Sequence, residues 1–241
     1  MTPVQLSLWI ALPIMIGLSV GFYFWLRNKR LALKIIPFMV VVLLVVVLEI
    51  IKQIVGLSRE SYSLFWLPFH ICAGFTFFAP FAVFTKQKSR AGNIFWDLAI
   101  VFSLLGGIAL YGDPEATVGA APVFGSGNFM RYHSLFFHLL LAQFALLAIA
   151  LRPHRPESRD MKWALVIFGV YVMFLALMAN ILDTNFAMFI NNSVWPFPAL
   201  KERIGLWSMQ IVLWLVYMFL AVAVGVLVIL FRKRVRRNDQ N

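Results

Sequence analysis

Seven long apolar stretches constrain the fold of this chain more than any other feature of its sequence. A helix needs about 20 apolar residues to cross the hydrocarbon core of a bilayer. Stretches of roughly that length lie at 4–26, 35–56, 64–84, 94–112, 129–151, 163–183 and 206–231. With 62% hydrophobic and 13% charged residues, the chain does not have the composition of a soluble domain. The sequence therefore predicts an all-α, polytopic membrane domain of seven transmembrane helices over residues 1–231, followed by a basic tail at 232–241.

The basic residues alternate between the two sides of this predicted bundle. The segments after the first, third, fifth and seventh stretches carry 16 of the 21 Lys and Arg residues. Because short cytoplasmic loops are enriched in Lys and Arg, we predict that the N-terminus lies outside and the C-terminus in the cytoplasm. The net charge of +11 then needs no nucleic-acid partner, and the tail is expected to lie against anionic lipid headgroups. The chain is predicted to be a multi-pass protein of the cell membrane.

The segment Leu67-Pro68-Phe69-His70-Ile71-Cys72 is the first candidate for chemistry, because it holds the only cysteine of the chain. Polar side chains at membrane depth are costly and often functional. On the predicted helix, His70 and Cys72 are two residues apart and point to opposite faces, so a partner for the thiol is expected from another helix. A single cysteine excludes an intrachain disulfide and a Cys-rich zinc site, and we expect neither metal nor cofactor.

Other predicted helices carry polar residues at helical spacing. Glu49, Lys52 and Gln53 share one face of the second stretch, as a structural ion pair or as a contact to substrate. Arg131 and His138 lie on a ridge of small and polar residues in the fifth stretch, whereas His133 lies on another face. In the sixth stretch, the face predicted to turn into the bundle holds Gly169, Met173, Ala176, Asn180 and Asp183.

The predicted positions of these residues along the membrane normal are similar. On ideal helices Cys72 and His138 both lie about 12 to 13 Å below the outer end of their stretches, and the other polar candidates lie nearer that surface. We therefore predict one polar cavity in the outer half of the membrane. A cysteine and a histidine are the minimum set for nucleophilic acyl transfer, in which an acid such as Asp183 or Glu49 orients the histidine.

Three alternatives to catalysis stay open at this point. In the first, the cysteine fills a small apolar space and the histidine only forms a hydrogen bond to another helix. In the second, the chain is a transporter or transporter subunit that relays protons or solute through Glu49, Lys52, His138 and Asp183. In the third, it is a non-catalytic partner protein that binds lipid. Membrane lipids are the expected partners in each functional case, and homo-oligomers are compatible with all of them.

Three segments resemble motifs of the YwaF-like integral membrane proteins. The hexapeptide that ends at Cys72 resembles the "LPLHLC" stretch of that family. Phe136-Phe137-His138 resembles the context of its second histidine, and Asn185-Phe186 through Trp195-Pro196-Phe197 is similar to its "NYM…GPWPW" segment. The last segment is shortened here, and Phe186 stands where the family has tyrosine.

The resemblance implies an activity. Eukaryotic relatives of the YwaF-like proteins are intramembrane acyltransferases that remodel ether phospholipids with a cysteine and a histidine. By this resemblance Cys72 accepts the acyl group and His138 acts as the base, while His70 orients the substrate or the pair. Arg131, His133, Asn180 and Asn185 are supporting or substrate-binding candidates.

Overall fold

The computed structural model describes residues 3–58, 62–86, 89–119, 128–151, 153, 157–190 and 196–238, and their regular secondary structure is helical throughout. The helices are α1 (Pro3–Leu26), α2 (Leu31–Leu57), α3 (Gly74–Phe84), α4 (Arg90–Gly112), α5 (Pro114–Val118), α6 (Phe129–Leu151), α7 (Ser158–Ile181) and α8 (Phe197–Asn238). Short 3-10 turns lie at Leu64–Trp66 and Phe186–Met188.

Among the described residues, six helices are long and apolar enough to cross a membrane, namely α1, α2, α4, α6, α7 and α8. A polytopic helical membrane protein was predicted, and these helices confirm it. α8 has a break at Gly205, where φ is 80°, and it continues to Asn238 through most of the segment predicted as a tail. The seventh crossing and the orientation of the ends stay predictions.

The third apolar stretch differs from its prediction. A continuous helix was predicted over 64–84, but α3 has only 11 residues and is about 16 Å long. The cause lies at Pro68, since the residue before a proline is driven out of the helical region. Leu67 accordingly has φ −57° and ψ 149°, and the chain is not helical from there to Ala73. The prediction that His70 and Cys72 lie on opposite faces of a helix is therefore wrong, and the depth inferred for Cys72 has no helical basis.

Contacts near the helix ends fix the direction of each helix. At one end of the bundle Glu49 of α2 lies near His133 of α6, and Asn180 of α7 bonds to α8. We call this the Glu49 end. At the opposite end, the Asp160 end, the Asn93 side chain of α4 donates a hydrogen bond of 3.1 Å to Asp160 of α7. Helices α2, α4 and α7 thus run toward the Glu49 end, whereas α6 and α8 run away from it.

Helix α3 runs beside α4 in the opposite direction. The ring of Phe81 stacks on that of Phe95 at a centroid distance of 5.0 Å, and Phe78 stacks on Phe102 at 5.7 Å. The non-helical segment Leu67–Ala73, which we call the Cys72 loop, therefore comes before α3 on the side of the Glu49 end. Buried aromatic rings between α2, α3, α4 and α6 fill the centre of the bundle, among them Phe38, Phe75, Trp96 and Phe144.

Gly74 lets the start of α3 approach its neighbours. A Cβ at this position would lie 2.5 Å from two atoms of the Phe102 ring and 2.8 Å from the Tyr171 ring. Atoms that close repel strongly, so only glycine fits where the Cys72 loop enters α3.

We predict that Gly74→Ala destabilises the protein by about 1–3 kcal/mol, because the added methyl group overpacks the contact with Phe102 and Tyr171. The measurement is thermal unfolding of the purified protein in detergent. Gly17→Ala is the matched control, since a Cβ at Gly17 has nothing within 4 Å. Equal melting temperatures for the two variants would contradict this account of α3.

Candidate functional site

The Cys72 loop is held by its own turns and by α7. The amides of Ala73, Gly74 and Phe75 donate to the carbonyls of the residues three positions earlier, at 3.0 to 3.2 Å. The Tyr171 hydroxyl of α7 donates a hydrogen bond of 3.0 Å to the carbonyl oxygen of His70. Cys72 is a free, half-buried thiol that packs against the main core. The loop thus presents a reduced cysteine inside the bundle.

His70 is fixed between two aromatic rings. Its ring centroid lies 4.5 Å from that of Phe65 and 5.7 Å from that of Phe186. Its Nε2 atom is 2.9 Å from the carbonyl oxygen of Phe65. Because a carbonyl oxygen only accepts, Nε2 carries the proton and Nδ1 is the acceptor of the neutral ring. These contacts therefore fix the orientation of the His70 ring within the Cys72 loop.

His138 has the opposite tautomer. Its Nδ1 atom lies 2.8 Å from the carbonyl oxygen of Ser134, one turn earlier in α6, so Nδ1 donates. The lone pair of the neutral ring is then on Nε2, the nitrogen that a general base uses. The His138 ring lies edge-on to that of Phe137, with centroids 5.6 Å apart. The histidine that was expected to act as base thus lies on α6, five residues after His133, which faces Glu49.

Glu49 lies at the centre of a buried polar cluster. Lys52 approaches its carboxylate at 2.6 Å and the Gln53 amide donates to it at 2.9 Å. Nε2 of His133 lies 3.5 Å from the other carboxylate oxygen, without the geometry of a hydrogen bond. The predicted shared face of Glu49, Lys52 and Gln53 is confirmed as an ion-paired face.

Gln53 links this cluster to the segment that leads into the Cys72 loop. Its side-chain amide donates to the carbonyl oxygen of Trp66 at 2.8 Å, and its carbonyl accepts from the Tyr62 hydroxyl at 2.7 Å. The position of the Leu64–Trp66 turn therefore depends on the Glu49 cluster.

Two tyrosines that the sequence reasoning missed lie next to the Cys72 loop. Tyr171 of α7 bonds the backbone of the loop at His70, and Tyr217 of α8 bonds the connection between α7 and α8. The Tyr217 hydroxyl donates to the carbonyl oxygen of Ala187 at 2.9 Å. A tyrosine within an apolar helix can indicate a buried hydrogen bond, but the sequence analysis selected candidates mainly among charged residues, histidines and amides.

The inward face predicted for the sixth stretch needs a correction. Asn180 is half-buried and forms a reciprocal amide pair with Gln210 of α8, at 3.1 and 3.2 Å. Asp183 is exposed, because α7 ends at Ile181 and the following turn, with φ 45° at Asp183, carries its side chain out of the bundle. Asp183 is therefore not an acid of the central site. The face of α7 that is buried holds Phe168, Tyr171, Val172, Leu175 and Ala179.

Asn185 shapes the connection between α7 and α8. Its side-chain oxygen accepts a hydrogen bond of 3.1 Å from the Ile190 amide, across the 3-10 turn Phe186–Met188. Phe186 is fully buried and contacts the rings of Phe69 and His70. This segment thus covers the Cys72 loop. The resembling motif continues to Trp195, which lies outside the described residues.

Arg131 lies in the first turn of α6, on the same helix as His138. Its guanidinium packs against Gly119, the residue that follows α5. Within the described part of the chain, no group of three or more His, Cys, Asp or Glu side chains is arranged to hold a metal ion.

Comparison with known proteins gives one result. The model of the TMEM164 family matches residues 1–231 of the chain. No curated protein and no solved structure shows a significant match.

We predict that Glu49→Gln lowers the free energy of unfolding by about 3 kcal/mol, because it leaves the ammonium group of Lys52 buried without its counter-charge. The measurement is chemical or thermal unfolding of the purified protein in detergent. The double variant Glu49→Gln with Lys52→Met removes both charges and is expected to recover most of the loss. A double variant no more stable than Glu49→Gln would show that the two charges are not coupled.

Proposed function

For this chain, which belongs to the TMEM164 family of membrane proteins, we propose the function of an intramembrane acyltransferase that moves acyl chains between phospholipids. In this proposal Cys72 is the nucleophile and His138 the general base. The likeness of the Cys72 hexapeptide to the YwaF-like proteins, whose relatives remodel ether phospholipids, supports the same assignment. The substrates are then lipids of the cell membrane.

One observation carries the proposal, namely the hydrogen bond from Nδ1 of His138 to the carbonyl oxygen of Ser134. It leaves Nε2 as the basic nitrogen, and a thiol has to lose its proton before or as it attacks a carbonyl. His138 lies on α6 five residues after His133, which faces Glu49, and the Cys72 loop lies on the side of the same bundle end. The proposal assigns the base and the nucleophile to one polar site on this side of the bundle.

The reaction has two half-steps that balance without a cofactor. The Cys72 sulfur attacks the ester carbonyl of a donor phospholipid, and its proton passes to Nε2 of His138. The ester C–O bond then breaks, the leaving lysolipid oxygen takes that proton, and a thioester stays on Cys72. In the second half, the hydroxyl of an acceptor lysophospholipid gives its proton to His138 and attacks the thioester. The C–S bond breaks, and the thiol regains the proton from His138.

The surrounding residues position these groups. Tyr171 holds the backbone of the Cys72 loop, and the pair of Glu49 and Lys52 holds the preceding turn through Gln53. The Tyr171 proton is already donated to a carbonyl, so in this scheme Tyr171 is a positioning residue. His70 orients substrate or the catalytic pair.

The proposal includes the topology. The Cys72 loop together with α3 forms a seventh, broken crossing, and the Glu49 end faces outside. Irregular backbone at membrane depth is typical of places where a bundle lines a polar cavity. Alternating helix directions and the distribution of Lys and Arg support this arrangement.

We predict that Cys72→Ser and His138→Gln each lower acyl transfer at least about 100-fold, because one removes the thiol nucleophile and the other the basic nitrogen. The measurement is mass spectrometry of lipid acyl composition, in cells and with purified protein in phospholipid vesicles. An acyl group on Cys72 that hydroxylamine removes is the expected intermediate.

His133→Gln is the matched control for His138→Gln. Its Nε2 has no hydrogen-bond partner within the described structure and faces Glu49. We expect this variant to keep most of the activity. Unchanged lipid composition in both Cys72→Ser and His138→Gln would rule out the acyltransferase, and a non-catalytic lipid-binding role would then be favoured.

A second candidate function rests on the buried cluster of Glu49, Lys52 and His133. Buried, paired ionisable groups at membrane depth are also typical of proton relays in transporters. A transporter or permease-like protein keeps its activity in Cys72→Ser and loses it in Glu49→Gln. An acyltransferase instead loses its activity in Cys72→Ser, so the activities of the two variants separate the candidates.

A further inference from the structure

Arg131 has a guanidinium group that is covered by backbone. A Cβ at Gly119 would lie 3.4 Å from Cζ of Arg131 and 3.5 Å from its Nε and Nη2 atoms. Gly119 has φ 98°, a conformation that residues with a side chain rarely adopt. The positive φ, rather than a lack of space beside the guanidinium, therefore favours glycine at this position.

Arg131 forms no ion pair among the residues that the structure describes. Its Nη1 atom is buried and makes no hydrogen bond, and none of the described ion pairs includes it. The neighbouring stretch 120–127 contains neither Asp nor Glu. Lys52, by contrast, is paired with Glu49 at the same end of the bundle. A buried cationic donor without a partner is costly, which indicates that an anion completes the site.

We infer that Arg131 binds the phosphate group of a glycerophospholipid and thereby sets the depth of the substrate. This inference rests on the proposed function, because it names the substrate class of the same site. The guanidinium fork matches two phosphate oxygens, which makes arginine the common choice for such groups. Helix α6 begins at the Glu49 end of the bundle, so Arg131 in its first turn lies near the level expected for the headgroups of one leaflet.

The spacing along α6 fits a glycerophospholipid. Arg131 and His138 are seven residues apart, which puts both on one face at about 10 Å along the axis. Five covalent bonds separate the phosphorus from the carbonyl carbon of the middle ester, roughly 6 Å when extended. The glycerol part of the lipid thus spans more than half of the axial distance between the two residues. A phosphate held at Arg131 therefore directs the ester toward His138 and the Cys72 loop.

An arginine that merely snorkels to the membrane surface would present its head group to water. The buried Nη1 atom and the backbone of Gly119 against the guanidinium differ from that arrangement. A specific phosphate position is the better explanation.

The test uses the purified full-length protein in detergent, titrated with three probes. These are dioleoylphosphatidylcholine, dioleoylglycerol, which lacks only the headgroup phosphate and choline, and inorganic phosphate. Melting temperature and retained lipid by native mass spectrometry are the readouts. We expect the phospholipid to stabilise the protein more than dioleoylglycerol does, and Arg131→Gln to weaken phospholipid binding about ten-fold.

Two further variants keep the result interpretable. Arg203→Gln removes an exposed positive charge near the start of α8, at the same end of the bundle, and is expected to bind phospholipid as the native protein does. Arg131→Lys keeps the charge without the fork and is expected to bind with intermediate affinity. If Arg131→Gln unfolds, Arg131→Lys still tests the fork.

Equal stabilisation by dioleoylglycerol and by the phospholipid would overturn the inference, as would unchanged binding in Arg131→Gln or Arg131→Lys. Stabilisation by inorganic phosphate alone would overturn the assignment to a lipid. The readouts measure binding, so Cys72→Ser is expected to retain them. A protein that binds phospholipid through Arg131 but transfers no acyl group would refute the proposed function and leave this inference standing.

Discussion

A helix bundle in lipid has to pair its backbone polar groups internally, and the Cys72 loop depends on this constraint. The loop interrupts a stretch that is apolar enough for a helix, so the hydrogen bonds of a helix are missing there. Its own turns supply some replacements, and side chains of other helices supply others. Tyr171 donates to the carbonyl oxygen of His70, and Gln53 donates to that of Trp66. The position of the cysteine is thus determined by α2 and α7 as much as by its own segment.

Hydrogen bonds to main-chain carbonyls also fix the tautomer and the orientation of the His70 and His138 rings. Each histidine donates one ring proton to a main-chain carbonyl, His70 to Phe65 and His138 to Ser134. The first bond leaves Nδ1 as the acceptor and the second leaves Nε2. A ring that is fixed in this way loses little freedom when a substrate arrives. In the proposed function, the hydrogen bonds that pair these main-chain carbonyls therefore also set which imidazole nitrogen is free to accept a proton.

Hydropathy predicted the long helices because burial in lipid dominates their energetics, and α6 has the bounds predicted from the sequence, 129–151. The Cys72 loop was missed because the apolar composition of 64–84 predicted one continuous helix, and composition does not register that Pro68 disfavours a helical conformation at Leu67. The face of α7 was misassigned for a different reason. Small residues at helical spacing mark a helix contact, but at Asn180 that contact is the seam with α8. Which neighbour a face meets depends on packing between distant segments, and periodicity carries no information about that.

Helix α6 and the Cys72 loop make different contributions to the site. Arg131 and His138 lie on one continuous helix that contacts α1, α2, α4 and α5, so their separation is rigid. Cys72 lies on an irregular segment that hydrogen bonds from its own turns and from Tyr171 hold in place. In the proposed function, a lipid that is bound by its phosphate at Arg131 therefore meets a thiol whose position is already set by the bundle. One fixed cysteine then serves a donor and an acceptor in turn.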